Sequence, residues 1–304
     1  MALSVLILGN GSALPTINSH QSAQIVRQDN HLFLVDCGEG TQVELRRNAV
    51  KIQGIQHVFI SHLHGDHFFG LVGLVSTMHL LGRTTKLHVH GPRGLKEIVL
   101  MQFNDAGSQL SFELEFNIVE KPDQLLFENK KIKISSIPLH HRIPCFGFLF
   151  QEKMGLRRMN KDALQQYAIP KHMRRSITEG NDFKESNGNV VPNEEITLPP
   201  YAPQSYAYCS DTAYSEKIVE YIKNVGLLYH EATFAEKDKV CAKKTFHSTA
   251  SSAAKIAQLS NAKKLLIGHV SNRYRNKSLL LEEAKEIFRE TEFADEGKEY
   301  SCEF

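Results

Sequence analysis

Apolar and polar residues recur along most of this chain with one of two periods, and the switches between them mark its elements. Ser4–Leu8, Ser22–Val26 and Leu32–Asp36 are short apolar-rich runs followed by turn residues, the pattern of strands. A helix is expected over about Thr41–Arg47, with Thr41 as its cap, and then a buried strand over His57–Ile60. From Phe68 to Leu81 apolar residues fall at helical spacing, predicting a helix that packs in the core or against another subunit. Lys86–Pro92 alternates as a strand, with His88 and His90 on its polar face. Arg93–Phe103 reads as a helix, and Phe112–Val119 and Lys131–Ile137 read as strands. The alternation stops at Glu152 and resumes at Ser205. Strands at Ser205–Cys209, Val225–Tyr229 and Lys264–Ile267 then interleave with helices at Ser215–Lys223, Thr249–Leu259 and Leu279–Thr291. The acidic stretch that runs to Phe304 reads as solvated surface. Strands alternating with helices predict an α/β fold.

The interrupted stretch, residues 152–203, changes the picture of domain organisation. It holds five prolines, and between Lys153 and Arg175 seven Lys and Arg face one acid, Asp162. The sign then reverses through Glu179, Asp182, Glu185, Glu194 and Glu195. This predicts an insertion projecting from a single domain that spans residues 1–304. Its charge is either an ordinary solvated face or a basic arm for nucleic-acid phosphates, with Arg157, Arg158, Lys161, Lys171, Arg174 and Arg175 as the candidate contacts.

Composition narrows the class. At 304 residues and 41% hydrophobic, the chain can bury a sizeable core and is not a disordered segment. Net charge is only +2, so a site for a polyanion has to be a local patch. The five cysteines, Cys37, Cys145, Cys209, Cys241 and Cys302, lack paired spacing, which points to reduced thiols and a cytoplasmic setting. The amino terminus reads as a first strand and turn rather than a signal peptide, and no apolar run reaches the roughly 18 residues of a membrane span.

The chemistry concentrates in Ser61-His62-Leu63-His64-Gly65-Asp66-His67, at the carboxyl end of the His57–Ile60 run. Three imidazoles and a carboxylate at this density suit zinc or a similar divalent ion. His62 and His64, two apart, can converge on one ion, while the adjacent Asp66 and His67 point differently and suggest a second. Either His140 or His141 could complete the first, and spacing does not choose between them. Asp36 is a ligand by type, but orienting a loop or a ligand histidine is its expected task. His88 and His90 are taken as structural. Further along, strand after strand ends in a residue able to bind metal or move a proton: Asp211, His230-Glu231 and His269. In layered α/β folds sites gather at carboxyl ends of strands, so these residues describe one rim.

His62-x-His64-x-Asp66-His67, a histidine near 141, Asp211 and His269 together resemble the ligand set of the metallo-β-lactamase superfamily. Within it, the chain resembles the ribonuclease Z family, endonucleases that trim the 3′ end of precursor tRNA. The resemblance rests on Leu8-Gly9-Asn10-Gly11-Ser12-Ala13-Leu14-Pro15-Thr16, Asp36-Cys37-Gly38-Glu39-Gly40-Thr41-Gln42 and His141-Arg142-Ile143-Pro144-Cys145-Phe146-Gly147. It continues through Ser210-Asp211-Thr212, His230-Glu231-Ala232-Thr233, His247-Ser248-Thr249 and His269-x-Ser271-x-Arg273-Tyr274, and so spans nearly the whole chain. The His-Glu-Ala-Thr and His-Ser-Thr pair is the most specific part. One departure lies in the arm, where Ile169-Pro170-Lys171-His172 stands in place of the family's Gly-Pro pair.

The resemblance implies a four-layer αβ/βα sandwich with an inserted arm, a homodimer, and two Zn2+ per subunit, with Mn2+ or another divalent ion as alternatives. It implies His62, His64 and His141 on one ion, Asp66, His67 and His269 on the other, and Asp211 as the bridge. The activity implied is attack of a metal-activated hydroxide on a phosphodiester, releasing the 3′ trailer and leaving a tRNA 3′-hydroxyl. Asp66 can steer the attacking oxygen. The departing 3′ oxygen needs a proton, for which His247 is the candidate donor, with Glu231 orienting it and raising its pKa. Arg273 is a candidate phosphate contact. Two other readings compete: a small-molecule hydrolase or phosphodiesterase of the same fold, and a metal-stabilised RNA-binding protein without turnover.

Overall fold

Strands that are apolar at every position, rather than every second one, explain the layers of the computed structural model, which describes residues 3–17, 19–107 and 109–303. Such strands are buried on both faces. In Ser4–Gly9, Val5 and Ile7 join a cluster with Phe33, Phe59, Tyr206, Tyr208 and Tyr229, whereas Leu6 and Leu8 join another with Leu34, Val58, Leu71 and Leu74. The first cluster fills the space between two sheets. The second lies under the helices Thr41–Arg47, Gly70–Leu80 and Leu95–Asp105. A third lies under Ala250–Leu259 and Ser278–Ile287 on the far sheet. The order of layers is therefore helix, sheet, sheet, helix, as expected.

Among the described residues each sheet has seven strands. The first runs Glu299–Ser301, Ser4–Gly9, Ala23–Gln28, His31–Val35, Ile55–Phe59, Leu87–Gly91 and Leu114–Ile118. The second runs Thr291–Phe293, Lys264–Gly268, Leu227–Glu231, Ser205–Cys209, Phe146–Glu152, Ile132–Pro138 and Leu125–Glu128. Parallel pairing of His31–Val35 with Ile55–Phe59, and of Ser205–Cys209 with Leu227–Glu231 and Lys264–Gly268, brings carboxyl ends to one edge of each sheet.

Several expectations are corrected. The acidic carboxyl-terminal stretch is not simply solvated surface. Thr291–Phe293 pairs parallel to Lys264–Gly268, Glu299–Ser301 pairs antiparallel to Ser4–Leu6, and Tyr300 and Cys302 are buried between the sheets. Its acids had masked a period-2 pattern. The helix expected at Ser215–Lys223 is a single tight turn, Glu216–Ile218, held by burial of Ile218 and Ile222. The Phe68–Leu81 helix is split into Gly65–Phe68 and Gly70–Leu80. Gly70 is needed there because a Cβ would stand 2.0 Å from the Gly38 carbonyl oxygen. Gly40, in the left-handed region at φ 80°, rather than Thr41, precedes the first helix. His90 is buried, not on a solvated face: its Nε2 lies 3.1 Å from His57 Nδ1 and its ring stacks on Phe59. The expectation that it is structural fits this packing.

The described residues form two compact units, and the smaller one comprises Asn129–Lys131 and Glu152–Pro203. It contains two short ladders, Arg158–Met159 with Thr197–Leu198 and Phe183–Lys184 with Val190–Val191. Ala163, Ile169, Ile177, Phe183, Val191 and Ile196 form its own apolar cluster, so low periodicity here does not mean absence of a core. No helix among the described residues is long and apolar enough to cross a membrane.

Candidate metal centre

The site grows from the end of strand Ile55–Phe59. Beyond it His62 is buried, and His64 is extended at φ −79°, ψ 142° before the helical turn Gly65–Phe68. Extended backbone puts His62 and His64 on one side, with His62 Nε2 3.0 Å from His64 Nδ1. The turn then carries Asp66 and His67 to a different side. His141 Nε2 comes within 3.2 Å of His64 Nδ1, while His140 is exposed and its ring packs on Phe246. The structure thus brings His141 rather than His140 to the cluster.

Asp211 sits between two groups. Its Oδ2 lies 3.4 Å from His62 Nε2 and 3.8 Å from His141 Nε2. Its Oδ1 lies 3.3 Å from His67 Nε2 and 3.2 Å from His269 Nε2. Asp66 Oδ2 faces the same two nitrogens at 3.4 and 3.3 Å. The ligating atoms of His62, His64, His141 and Asp211 lie within 4.8 Å of one another, as do those of Asp66, His67 and His269. Imidazole nitrogens bound tetrahedrally to zinc at 2.0–2.1 Å would stand roughly 3.3 Å apart. The spacing therefore fits cations without rearrangement, and the chain carries clusters of His and Asp able to hold metal ions.

The polar surroundings orient these rings. His67 Nδ1 lies 2.7 Å from Asp36 Oδ2, which also accepts from Ser61 Oγ and the Tyr208 hydroxyl, while Asp36 Oδ1 accepts from Ser61 N. His141 Nδ1 donates to the Phe246 carbonyl and His269 Nδ1 lies 3.1 Å from Thr233 Oγ1. Fixing one ring nitrogen leaves the other free to ligate. Asp36 thus has the orienting position expected of it. Asp36, Asp211 and His269 have φ of 55°, 48° and 55°. Strained backbone of this kind persists where surrounding contacts enforce it.

Electrostatics give an independent test of fit. His67 Nε2 is buried, has no hydrogen-bond partner among the described residues, and aims at two carboxylates. Burial pushes its pKa down, yet Asp211, Asp36 and Asp66 lift it well above the ordinary value. Asp66 and Asp211 are likewise held well below the usual carboxylate range against burial, Asp66 mainly by His67 and His269 and Asp211 by His269, His67 and His62. Burial lowers His62, His141 and His64, the last to about 4, so these rings are neutral and able to ligate. A pocket that demands positive charge and presents neutral imidazoles is suited to a cation.

His247 stands at the rim, its Nδ1 2.7 Å from Glu231 Oε1. Burial depresses its pKa, but the Glu231 carboxylate outweighs this and raises it to about 9. Glu231 is fully buried and also accepts from Thr212 N, Thr233 N, Thr233 Oγ1 and Ser248 N. His230 turns away, with Nδ1 on its neighbour's carbonyl. A cleft of about 570 Å³ opens over the cage, lined by Ser12–Leu14, His64, Asp66, Arg142, Asp211, Thr233, His247, His269 and Arg273, among others. Arg273 lies 4.7 Å from the Phe234 ring centre, with Asp238 4.0 Å away.

The candidate contacts on the arm lie in the smaller unit. Arg157 donates to Thr197 Oγ1, Arg158 to the Pro199 carbonyl, and Arg174 to the Ile169 carbonyl, while Arg175 pairs with Glu179. Lys161 and Lys171 are exposed. Sequence reasoning missed Asn10, whose Oδ1 accepts from His269 N and the Tyr229 hydroxyl. It also missed Tyr208 and Thr233 as individual contributors. Their partners lie far away in the chain, so no local pattern marks them.

A family model described as "Anti-Pycsar protein Apyc1" matches residues 3–177, more than half of the chain. Ribonuclease Z of Porphyromonas gingivalis is 47% identical over 296 residues, covering 97% of each chain. The crystal structure of human tRNase Z, short form, superposes with a TM-score of 0.72 at 26% identity, covering 99% of this chain and 100% of that one. The metallo-beta-lactamase fold protein YhfI of Bacillus subtilis superposes with a TM-score of 0.70 at 19% identity over 99% of both chains. The fold is of the metallo-β-lactamase type.

Proposed function

The chain belongs to the ribonuclease Z family, and its residues 3–177 match the family that the Apyc1 model describes, and from that premise we propose that it is a zinc-dependent endoribonuclease of precursor tRNA. It removes the 3′ trailer and leaves a 3′-hydroxyl on the tRNA. The observation that carries this reading is Asp211, with one carboxylate oxygen toward each group of histidines and His247 at the rim beside them.

On this reading His62, His64 and His141 would hold one ion and Asp66, His67 and His269 the second, with Asp211 available to both. Zinc ions bound there would supply a water acidified to a pKa of about 7 and positive charge against the phosphoryl oxygens. Asp66 lines the cleft and steers the attacking oxygen by accepting its hydrogen bond. His247 keeps its proton at neutral pH because Glu231 stabilises the imidazolium, and it delivers that proton to the departing 3′ oxygen. Glu231 stays ionised through the donors that surround it. Arg273 forms part of the cleft wall that meets the RNA backbone.

The inserted unit, residues 152–203, supplies recognition. Arg157, Arg158, Lys161, Lys171, Arg174 and Arg175 present charge for phosphates of the folded tRNA body, as structured RNA is gripped by shape and backbone. The enzyme acts in the cytoplasm as a homodimer. Exposed Phe69, Leu80 and Leu81 at the two ends of the Gly70–Leu80 helix support a subunit contact there.

The test is incubation of the purified protein with a 3′-extended precursor tRNA, with and without chelator, and analysis of the new ends. A single cut at the trailer that leaves a 3′-hydroxyl and is lost with chelator supports the reading. Undiminished cutting by metal-stripped protein, or hydrolysis of small esters alone, overturns it.

A further inference from the structure

Among the described residues, the cleft is lined by one cation that the chemistry described so far leaves unused. Arg142 directly follows the proposed ligand His141 and lines the same cleft. Its segment is pinned on both sides. His140 N donates to Thr212 Oγ1 and the His140 carbonyl accepts from Ala213 N; His141 Nδ1 donates to the Phe246 carbonyl, and Phe146 N donates to the Ser61 carbonyl. The backbone that carries Arg142 is thus fixed relative to the cage. Among the described residues no hydrogen bond or ion pair engages its guanidinium. Arg273 differs, since its charge is shared with Phe234, Cys241 and Asp238. The carboxylates that line the cleft, Asp66 and Asp211, are turned to the histidines of the cage.

We propose that Arg142 binds a phosphate of the RNA strand adjacent to the scissile one. The inference rests on the nuclease reading and deepens it. The cage takes the scissile phosphodiester, and an RNA strand necessarily presents another phosphate one nucleotide away. A guanidinium is the side chain best shaped for it, with parallel donors matching two phosphate oxygens. Because the strand is single at the trailer, one such contact contributes about 0.7 to the slope of log affinity against log salt.

The experiment compares wild type with Arg142→Ala and Arg142→Lys on 3′-extended precursor tRNA across a salt series, with bis(p-nitrophenyl) phosphate as a substrate lacking a second phosphate. Arg142→Ala is expected to raise KM for the precursor about tenfold and to flatten the salt slope by about 0.7. Its loss on the precursor should exceed any loss on the small ester by a similar factor. Arg142→Lys should restore the slope while recovering only part of KM. An unchanged slope in Arg142→Ala, or equal losses on both substrates, overturns the assignment. A wild type that hydrolyses the small ester yet leaves the precursor whole overturns the nuclease reading itself, before any variant is compared.

Discussion

Replacing His247 by Asn tests the proposed division of labour between cage and rim. The ring stands outside the ligand groups of His62, His64 and His141 and of Asp66, His67 and His269, although its nitrogen also approaches Asp211 and His269. Its firm partner is Glu231, at 2.7 Å. If its task is to protonate the leaving oxygen, the loss depends on how badly that oxygen needs a proton. A ribose 3′ oxygen would otherwise leave as an alkoxide, so removing the acid should slow precursor cleavage by about 10²–10⁴-fold, or about 3–5 kcal/mol of barrier. p-Nitrophenolate is a stable anion and needs far less help, so the loss on bis(p-nitrophenyl) phosphate should be smaller by at least an order of magnitude. Single-turnover rates on both substrates, with bound metal measured on the same samples, make the comparison. Equal losses on both would refute the acid role, and a parallel loss of metal would make His247 a ligand instead.

Three further outcomes follow from the same geometry. On the proposed reading both Asp211 oxygens ligate and Asp211→Asn keeps only one, so bound zinc is expected to fall to one or fewer per chain from an expected two, measured by elemental analysis; two retained ions would contradict the bridging position. Deleting Arg157 to Arg175 should abolish precursor cleavage and leave hydrolysis of the small phosphodiester, whereas equal loss of both would remove the recognition role from the insertion. Burial and the neighbouring His90 and His88 lower His57 to about 3, below its unfolded value near 6.5, so between these values the unfolded chain binds the extra proton and stability falls as pH falls. Chemical denaturation between pH 6.5 and 5 should therefore shift in favour of His57→Gln over wild type, by roughly 1 kcal/mol per pH unit; a constant difference would show that His57 takes up its proton as readily in the native protein as in the unfolded chain.

What could be read from the chain divides along physical lines. The His62–His67 cluster was legible because its four ligand-type residues sit on one loop. The choice of His141 over His140 was not fixed by spacing, because it depends on which ring reaches the Phe246 carbonyl. The strands were legible as short apolar runs such as Val5-Leu6-Ile7-Leu8, while their four-layer arrangement was implied by the family resemblance and is explained by burial of such runs on both faces. The carboxyl terminus was misread because charge was weighed above periodicity. Glu299 points away to Ser4 and Arg27 while Tyr300 enters the core, which is ordinary strand alternation. The acidic Glu296 does similar work: it accepts from Asn10 N, Ser19 Oγ and His20 N, and so ties down the loop whose Ser12–Leu14 line the cleft. Contacts between residues almost three hundred positions apart leave no local trace.

The register of the second sheet explains how the insertion can coexist with so exacting a site. Leu227–Glu231 pairs Glu231 with Gly268 and His230 with Cys209, so ladder hydrogen bonds set side by side the ends that carry Asp211, Glu231 and His269. A slip of one residue would turn every side chain on a strand to the opposite face. On the other edge of Ser205–Cys209 lies Phe146–Glu152, antiparallel, with Gln151 opposite Ser205. The insertion therefore leaves and re-enters at two positions already adjacent across the ladder. Closure cost rises only as the logarithm of loop length, about 0.6 kcal/mol per doubling. Residues 152–203 can thus change without shifting the register on which the cage depends. On the proposed reading, the departure at Ile169-Pro170-Lys171-His172 would therefore bear on recognition and not on the ligand set. For the same reason the Arg157–Arg175 deletion is expected to separate the two.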